Sequence, residues 1–537
     1  MAEYLYGTYG HLADSVVQAT AEASTVALYV GTAPVNLIRG YATAGIINEP
    51  VKLYNKQDAQ KKIGTASDWG KYTLSEAVAA HFGGDNNVGP IYVINVLNPT
   101  TDRKPAATTR NLNFVNGKAS FTSEDIILDT FVLANKTEGT DYALSYSFAT
   151  GKVTVTSLDP DNPLDGAIAA TYNEVDTSNI GVDEIIGSIS QSGVYTGLQA
   201  ADLIYQRYGA VVNLFAAPGW SDKKEVYRAL VEKATKLNGH WDGFVYADIP
   251  LSYISYSFTE VDNPTGNPKS QGWYEEDGGV YVETEDETVE VGKTYYTRTT
   301  QTNYNDTMSK AINWKANNGY NSERSKVFWP QGKGTDGSIY HLSSLAMAET
   351  LRLDISHNGV PMETCGNKAV DVNRQYFGAS SQNAGYSADE ANLLCENGID
   401  TIAFWGGSWK LWGDHTAAYS SANTDIDPRD IFDVNMRMLL YLTNAFQARW
   451  ASSIDKPFTI QLKDTILVRE QERLDALAAM GALIGNPRIS FEEEHNPLGS
   501  IRAGNFRWDI SCTPTPPLKS ATVYVAYTDE GFAAYFG

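Results

Sequence analysis

Apolar positions along this chain follow two alternating rhythms. Thr25–Gly31 and Pro90–Leu97 are short, continuous apolar runs that predict buried strands. Between them Thr73-Leu-Ser-Glu76 opens a helical pattern in the form of a capping box, and Gly83-Gly84 ends it. This α/β start breaks off at Asn98. Until about residue 185 the chain shows only short alternating runs, Ala119–Thr122, Ile126–Leu133, Tyr142–Phe148 and Lys152–Thr156. Gly, Asn and Asp separate them, which predicts a β-sandwich.

The first rhythm then returns. Val211–Phe215 predicts a buried strand, and Ser221 is placed to cap a helix whose Val226, Leu230, Ala234 and Leu237 share a face before Gly239 stops it. Strand Phe244–Ile249 follows. A short acidic β stretch over 261–300 delays the next helix, Asp306–Asn317, which precedes strand Lys326–Trp329 and a helix around Leu342–Ile355. Strands alternating with helices predict a mostly parallel sheet.

A further unit opens near Ile399. Asp427-Pro-Arg-Asp430 has the form of a helix start, with Asp as cap, Pro in the first turn and an acid after it. Ile431, Val434, Met438, Tyr441, Leu442 and Ala445 then recur at helical spacing, as a core face does. A second amphipathic helix carries Leu467, Leu474, Leu477 and Met480, with Gly481 as its stop. Two strand-like runs follow, 488–494 and 505–512. After Pro514, Pro516 and Pro517, which cannot donate to a sheet ladder, the chain resumes a Val- and Tyr-rich β pattern in Ala521–Tyr527. The aromatic, glycine-broken segment Glu3–Gly10 matches it at the other end. Both ends read as extended arms suited to pairing with another copy, and head-to-tail exchange of arms builds rings or open helices. The plainer alternative is two frayed termini.

Composition narrows the class. The 537 residues suggest about three to four domains. With 42% hydrophobic and 11% aromatic residues the chain is globular. Met-Ala-Glu-Tyr lacks the basic start and apolar run of a secretory signal, and no apolar span is long enough for a membrane helix, so folding in a cytoplasm is expected. Three cysteines far apart, Cys365, Cys395 and Cys512, suggest neither a zinc ribbon nor a disulfide framework. A net charge of −23 argues against direct nucleic-acid or anionic-lipid binding. Residues 98–190 hold 13 acidic and 6 basic side chains and residues 261–300 hold 9 and 3, so more than half the excess sits in two separable stretches. Such stretches suit outward-facing decorations.

Motifs for chemistry are weak. Gly292-Lys293-Thr294 has Glu287 where a phosphate loop needs its first glycine, Gly332–Gly337 lacks either glycine fingerprint, and Gly406–Lys410 lacks the closing glycine of a nucleophile elbow. Seven scattered histidines form no His-Glu-x-x-His helix, and Glu492-Glu-Glu-His495 would alternate sides of a strand. No catalytic, cofactor-binding or metal-binding residue is expected. A Ser/His/Asp triad assembled only by the fold stays open.

Gly398–Gly407, Asp430–Met438, the closing segment Leu467–Thr528 and Val26–Ala33 together resemble the contractile-tail sheath proteins of bacteriophages and related injection machines. The resemblance implies an α/β and α+β multidomain chain: a subtilisin-like α/β domain (21–97, 191–260 and 301–398) interrupted by a β-sandwich (98–190), and a C-terminal α+β domain (399–518). A small β insert (261–300) is not required by the family pattern, and exchange arms (1–20 and 519–537) flank the whole. It implies a structural subunit with no cofactor and no enzymatic role, polymerising as a helical sheath of stacked rings around an inner tail tube and contracting to drive that tube through a bacterial envelope. Baseplate and tail terminator proteins are the further partners, without direct nucleic acid or membrane insertion. The location is the virion tail, assembled in the host bacterial cytoplasm.

The intersubunit arms would use Tyr4, Leu5, Tyr6, Tyr9, Val523, Tyr524, Val525 and Tyr527, docking on strands carrying Ile489, Phe491, Phe506, Trp508 and Ile510. Tube-facing candidates are Arg429, Arg437, Lys463, Arg469 and Arg473, for which an ordinary solvated helix face is the equal alternative. The runner-up function is a hydrolase on the α/β scaffold, and a third is a surface array or adhesin.

Overall fold

A computed structural model describes residues 25–84 and 87–537. Its centre is a six-stranded sheet in the order Ser325–Phe328, Phe244–Asp248, Leu214–Ala216, Ala27–Gly31, Ile91–Asn95, Pro50–Leu53. The first five run parallel, and Pro50–Leu53 pairs antiparallel at one edge. Strands Ala27–Gly31, Ile91–Asn95 and Phe244–Asp248 are buried at every position, which is why they read as continuous apolar runs and not as alternation. Helices Lys224–Thr235 and Leu342–Ser356 pack on the middle strands, and Leu74–Phe82 packs on Leu342–Ser356.

Three local expectations fail here because tertiary partners outcompete local ones. The Thr73–Glu76 capping box does not form: the Thr73 hydroxyl accepts from Thr32 N–H at 3.2 Å, while Glu76 reaches His341. Ser221 caps no helix. Its hydroxyl lies 3.4 Å from Asp248, and the helix begins at Lys224. The strand expected at Val211–Phe215 is Leu214–Ala216, since the Asn213 side chain is spent accepting Val26 N–H at 2.7 Å.

The stretch after Asn98 forms two three-stranded sheets, Thr108–Phe114/Gly166–Tyr172/Val132–Leu133 and Lys118–Thr122/Lys152–Ser157/Tyr142–Ser147. They share one core that includes Phe114, Phe121, Tyr142, Val153, Val155 and Tyr172. Of Ile126–Leu133 only the last two residues are strand, because Leu128–Thr130 is a 3-10 turn and Ile127 turns into the central core. Thr108–Phe114 and Gly166–Tyr172 escape notice in the sequence because their outward positions are polar or small and little apolar alternation remains.

The acidic module is larger than its sequence signature. Ser252–Glu260 and Tyr296–Tyr304 form a nine-residue antiparallel ribbon, with Ser252 opposite Tyr304 and Glu260 opposite Tyr296. Tyr274–Asp277 and Val280–Glu283 complete a four-stranded sheet. The ribbon therefore starts before residue 261 and ends after residue 300.

Toward the C-terminus, hairpin Thr401–Trp405/Ser408–Trp412 turns at Gly406–Gly407, both at positive φ (60° and 85°). Asp400 bridges Phe328 in parallel, and Ile399, Ile402, Leu411, Ala417, Met436 and Leu440 join the central core. Packing is thus continuous across residue 399. Asp427 caps only the 3-10 turn Pro428–Asp430, and the long helix runs Asp433–Trp450. It packs with helix Ile460–Ala479 through a core that includes Met438, Leu442, Leu474, Leu477, Leu483 and Ile489. Met480, read as a core position, is 40% exposed, since the helix has already ended and Gly481 has turned the chain at φ +87°. Glu470 takes an inward place instead, bound by Arg449 Nε at 2.9 Å and Trp450 Nε1 at 2.6 Å. Among the described residues no helix is long and apolar enough to cross a membrane.

Candidate assembly surfaces

The helix–turn–strand sequence at the C-terminus ends in a two-stranded sheet. Leu483–Ser490 pairs antiparallel with Asp509–Pro514, with an irregularity between Ile484 and Arg488. Each strand has one strand neighbour among the described residues, so one edge of each is left without a strand partner. Ile489 and Ile510 sit opposite each other in this ladder. Phe491, Phe506 and Trp508 lie outside both strands, contrary to the strands expected at 488–494 and 505–512. Their rings gather on Phe458, with Phe506 stacked at 3.7 Å and Trp508 edge-on at 5.7 Å, because large apolar side chains in a connecting loop gain more by mutual burial than by extending a solvated strand. Pro514 closes the ladder opposite Leu483.

Beyond the sheet the chain is held at two points. Thr515 donates its N–H to Ala482 O (3.1 Å) and its hydroxyl to Gly481 O (2.6 Å). Lys519 Nζ then lies 2.6 Å from His415 Nε2. After Lys519 no strand forms. Val523, Tyr524, Val525 and Tyr527 are 80–93% exposed, and a 3-10 turn at Glu530–Tyr535 leaves Phe536 exposed as well. The burial of one such side chain is worth about 1.5–3 kcal/mol, and none of these five gains it within the single chain. Tyr4, Leu5, Tyr6 and Tyr9 lie outside the described residues. At the root of that segment Thr25 donates its hydroxyl to Asp354 at 2.6 Å.

The proposed tube-facing side chains do not form one surface. Arg437 is 5% exposed and paired with Asp354 inside the chain, so it faces no external partner. Its place on the inner face follows from the helix: Asp433, one turn earlier, is also buried and binds Lys326 at 2.9 Å. Lys326 is held further by Asp400 at 2.8 Å. Burial pulls its pKa down, but the Asp433 charge and hydrogen bond outweigh that and keep the ammonium above its ordinary value. Arg429 is exposed beside Asp427 (3.3 Å) and Asp430 (3.1 Å). Lys463 is partly exposed beside Asp464 (3.1 Å), and Arg469 and Arg473 are exposed on the Ile460–Ala479 helix. Ile460 and Val468 of that helix are exposed too.

The catalytic possibility can be judged from geometry. Ser221, Asp248, His341 and Ser343 do meet, at the N-terminus of helix Leu342–Ser356. Asp248 accepts the Ser343 N–H at 3.1 Å and also the Ser343 hydroxyl. The imidazole of His341 is taken by Glu76 on Nδ1 (2.8 Å) and by Gln331 on Nε2 (2.8 Å). A hydrolytic triad needs a hydroxyl on the imidazole, whereas here the hydroxyls bind the carboxylate. Asp248 is an acceptor held at the first turn of helix Leu342–Ser356. Burial pushes the Asp248 carboxyl up to about 6. For His341 burial acts downward, but the Glu76 charge and hydrogen bond prevail and raise it to about 9. Lys293 is surrounded by Asp286 (2.9 Å), Glu290 (3.2 Å) and Glu275 (3.3 Å), a setting that repels phosphate. Among the described residues no three His, Cys, Asp or Glu side chains are placed to hold a metal ion.

No protein-family model matches the chain. The tail sheath protein of Burkholderia phage BcepMu is 23% identical over 533 residues, covering 94% of this chain and 96% of that protein. The tail sheath protein of Escherichia phage P2 is 26% identical over 147 residues, covering 27% of this chain and 35% of that protein. Among solved structures, the contracted-state sheath complex of an extracellular contractile injection system aligns at TM-score 0.48 and 11% identity, over 98% of this chain and 100% of that chain. Over nearly its whole length, then, this chain is similar to a phage tail sheath protein.

Proposed function

We propose that this protein is the structural subunit of a contractile tail sheath, which polymerises helically around an inner tube and contracts to drive the tube through a bacterial envelope. The observation that carries the reading is the juxtaposition of an exposed Val/Tyr-rich tail with a two-stranded sheet whose outer edges lack strand partners. A tail that cannot cover itself and an edge that can accept a strand are complementary, and strand addition between copies satisfies both. Heterologous, head-to-tail exchange of this kind generates a ring or helix.

In this reading 519–537 and 1–20 are the exchange arms, and Leu483–Ser490 with Asp509–Pro514 are the accepting strands, through Ile489 and Ile510. The 98–190 and 252–304 modules face outward. Arg429, Lys463, Arg469 and Arg473 remain candidates for the tube side. The partners are other copies of the chain, an inner tube protein, and the baseplate and terminator proteins at the ends, in a virion tail or a related injection device. Contraction is a rigid-body rearrangement of subunits in a metastable lattice, with arms as tethers. It needs no bond-breaking chemistry.

Electron microscopy of the purified chain tests this. Hollow tubes or striated sleeves formed without added ligand are expected, whereas a protein that stays monomeric at high concentration, with its tail protease-sensitive, contradicts it.

A further inference from the structure

Lys519 is the last residue of the tail that hydrogen-bonds to the body, and its partner lies 104 positions earlier in the chain. His415 is 1% exposed and fixed in orientation. Its ring stacks between Tyr419 (3.5 Å between centroids, 10°) and Phe432 (5.2 Å, 17°). Its Nδ1 lies 3.0 Å from Ile431 O, a group that only accepts, so Nδ1 carries the proton and Nε2 offers a lone pair. That lone pair faces the Lys519 ammonium, which also sits 5.4 Å over the Tyr419 ring. Asp414 Oδ1 lies 3.5 Å from the same Nε2.

We infer that Lys519 and His415 form a proton-sensitive clasp at the root of the C-terminal tail, which fixes the direction in which residues 520–537 leave the body and opens when His415 takes a second proton. An imidazolium has no lone pair for the ammonium, and two cations at that separation repel. The carboxylate nearest the new Nε2–H is that of Asp414, at 3.5 Å. The other charges around the ring are Lys326, which opposes protonation, and Asp433, which favours it. Burial first, then Lys519, holds the His415 pKa down at about 4, so the clasp is closed at neutral pH and opens in acid. With Lys519 released, the chain beyond Thr515 is held only by its proline-stiffened spacer, Pro516-Pro517. The clasp belongs to the single chain and stands whether or not the chain polymerises.

The test uses the full-length protein with Cys512→Ser and a spin label on Thr522→Cys; Cys365 and Cys395 are buried. At about pH 8 the label is expected to be restricted, and to gain mobility as pH falls through the His415 titration. In Lys519→Met the label is expected to be mobile at every pH. In the same variant the His415 imidazole, followed by selective carbon-13 NMR, is expected to titrate higher by about one pH unit, a tenfold change in proton affinity. Equal label mobility in the two proteins at about pH 8, or an unmoved His415 titration, overturns the clasp.

Discussion

Arg437 and Asp354 form a buried ion pair between the long C-terminal helix and helix Leu342–Ser356 of the α/β core, at 5% and 1% side-chain exposure. One turn earlier Asp433 pairs with Lys326 of the central sheet, and Thr25, where the amino-terminal segment enters the core, donates to the same Asp354. Two oppositely charged side chains four residues apart thus fasten one helix to the core and to the origin of an expected arm. Helix, sheet and arm root are thereby tied to one another.

Removing one partner of this pair leaves an uncompensated buried charge. Arg437→Met is expected to lower stability by about 3–5 kcal/mol, while the double variant Arg437→Met/Asp354→Leu recovers much of the loss. Arg469→Ala, on the solvated face of its helix, is expected to change stability by about 0.5 kcal/mol or less. Chemical denaturation of the three variants checks the ranking.

The Glu76–His341 contact gives a pH signature. The folded pKa of about 9 exceeds the ordinary 6.5, so the stabilisation is full below about 6.5 and is lost as pH rises through about 9. Relative to His341→Gln, the native chain is expected to lose its advantage over that window. Melting temperatures of the two proteins between about pH 6 and about pH 10 test it, and a constant difference would refute the assignment.

Deleting residues 520–537 is expected to leave a folded, soluble subunit, because only exposed side chains are removed, and to abolish tube formation. Deleting 1–20 is expected to do the same. Circular dichroism reports the fold and negative-stain microscopy the assembly; normal tubes from either deletion would end the arm-exchange proposal.

For the acidic module the register sets the cut. The Glu260–Tyr296 pair closes the ribbon, so replacing 261–295 with a short Gly/Ser turn keeps all nine paired positions. Assembly and contraction are expected to survive. A folded variant that fails to polymerise would instead make the module a lattice contact.

Reversing the charges of Lys463, Arg469 and Arg473 together is expected to weaken co-assembly on inner tubes at low salt and to leave sheath self-assembly unchanged, since exposed charge contacts are weak and screened. Cosedimentation across a salt series measures this. Tube binding that is unaltered at every salt concentration removes the three residues from that surface.

The sequence by itself determined the elements that are saturated with apolar residues. Thr25–Gly31, Phe244–Ile249 and Lys326–Trp329 were legible because a strand buried on all sides needs no partner information to be recognised, and Leu342–Ile355 because its first seven positions, Leu342–Ala348, are all buried. The exposed tail was legible for the complementary reason, a β pattern stranded beyond prolines that block a ladder. Tertiary structure alone decided the fate of polar side chains. Thr73, Glu76 and Ser221 left their local caps for Thr32, His341 and Asp248, because a buried carboxylate or hydroxyl must find a partner wherever the fold supplies one. Arg437 shows the same limit most directly: nothing in the sequence of its own helix identifies Asp354, 83 residues away, as its partner. The Lys519–His415 contact spans 104 residues and joins two segments with no shared periodicity, so local pattern carries no trace of it.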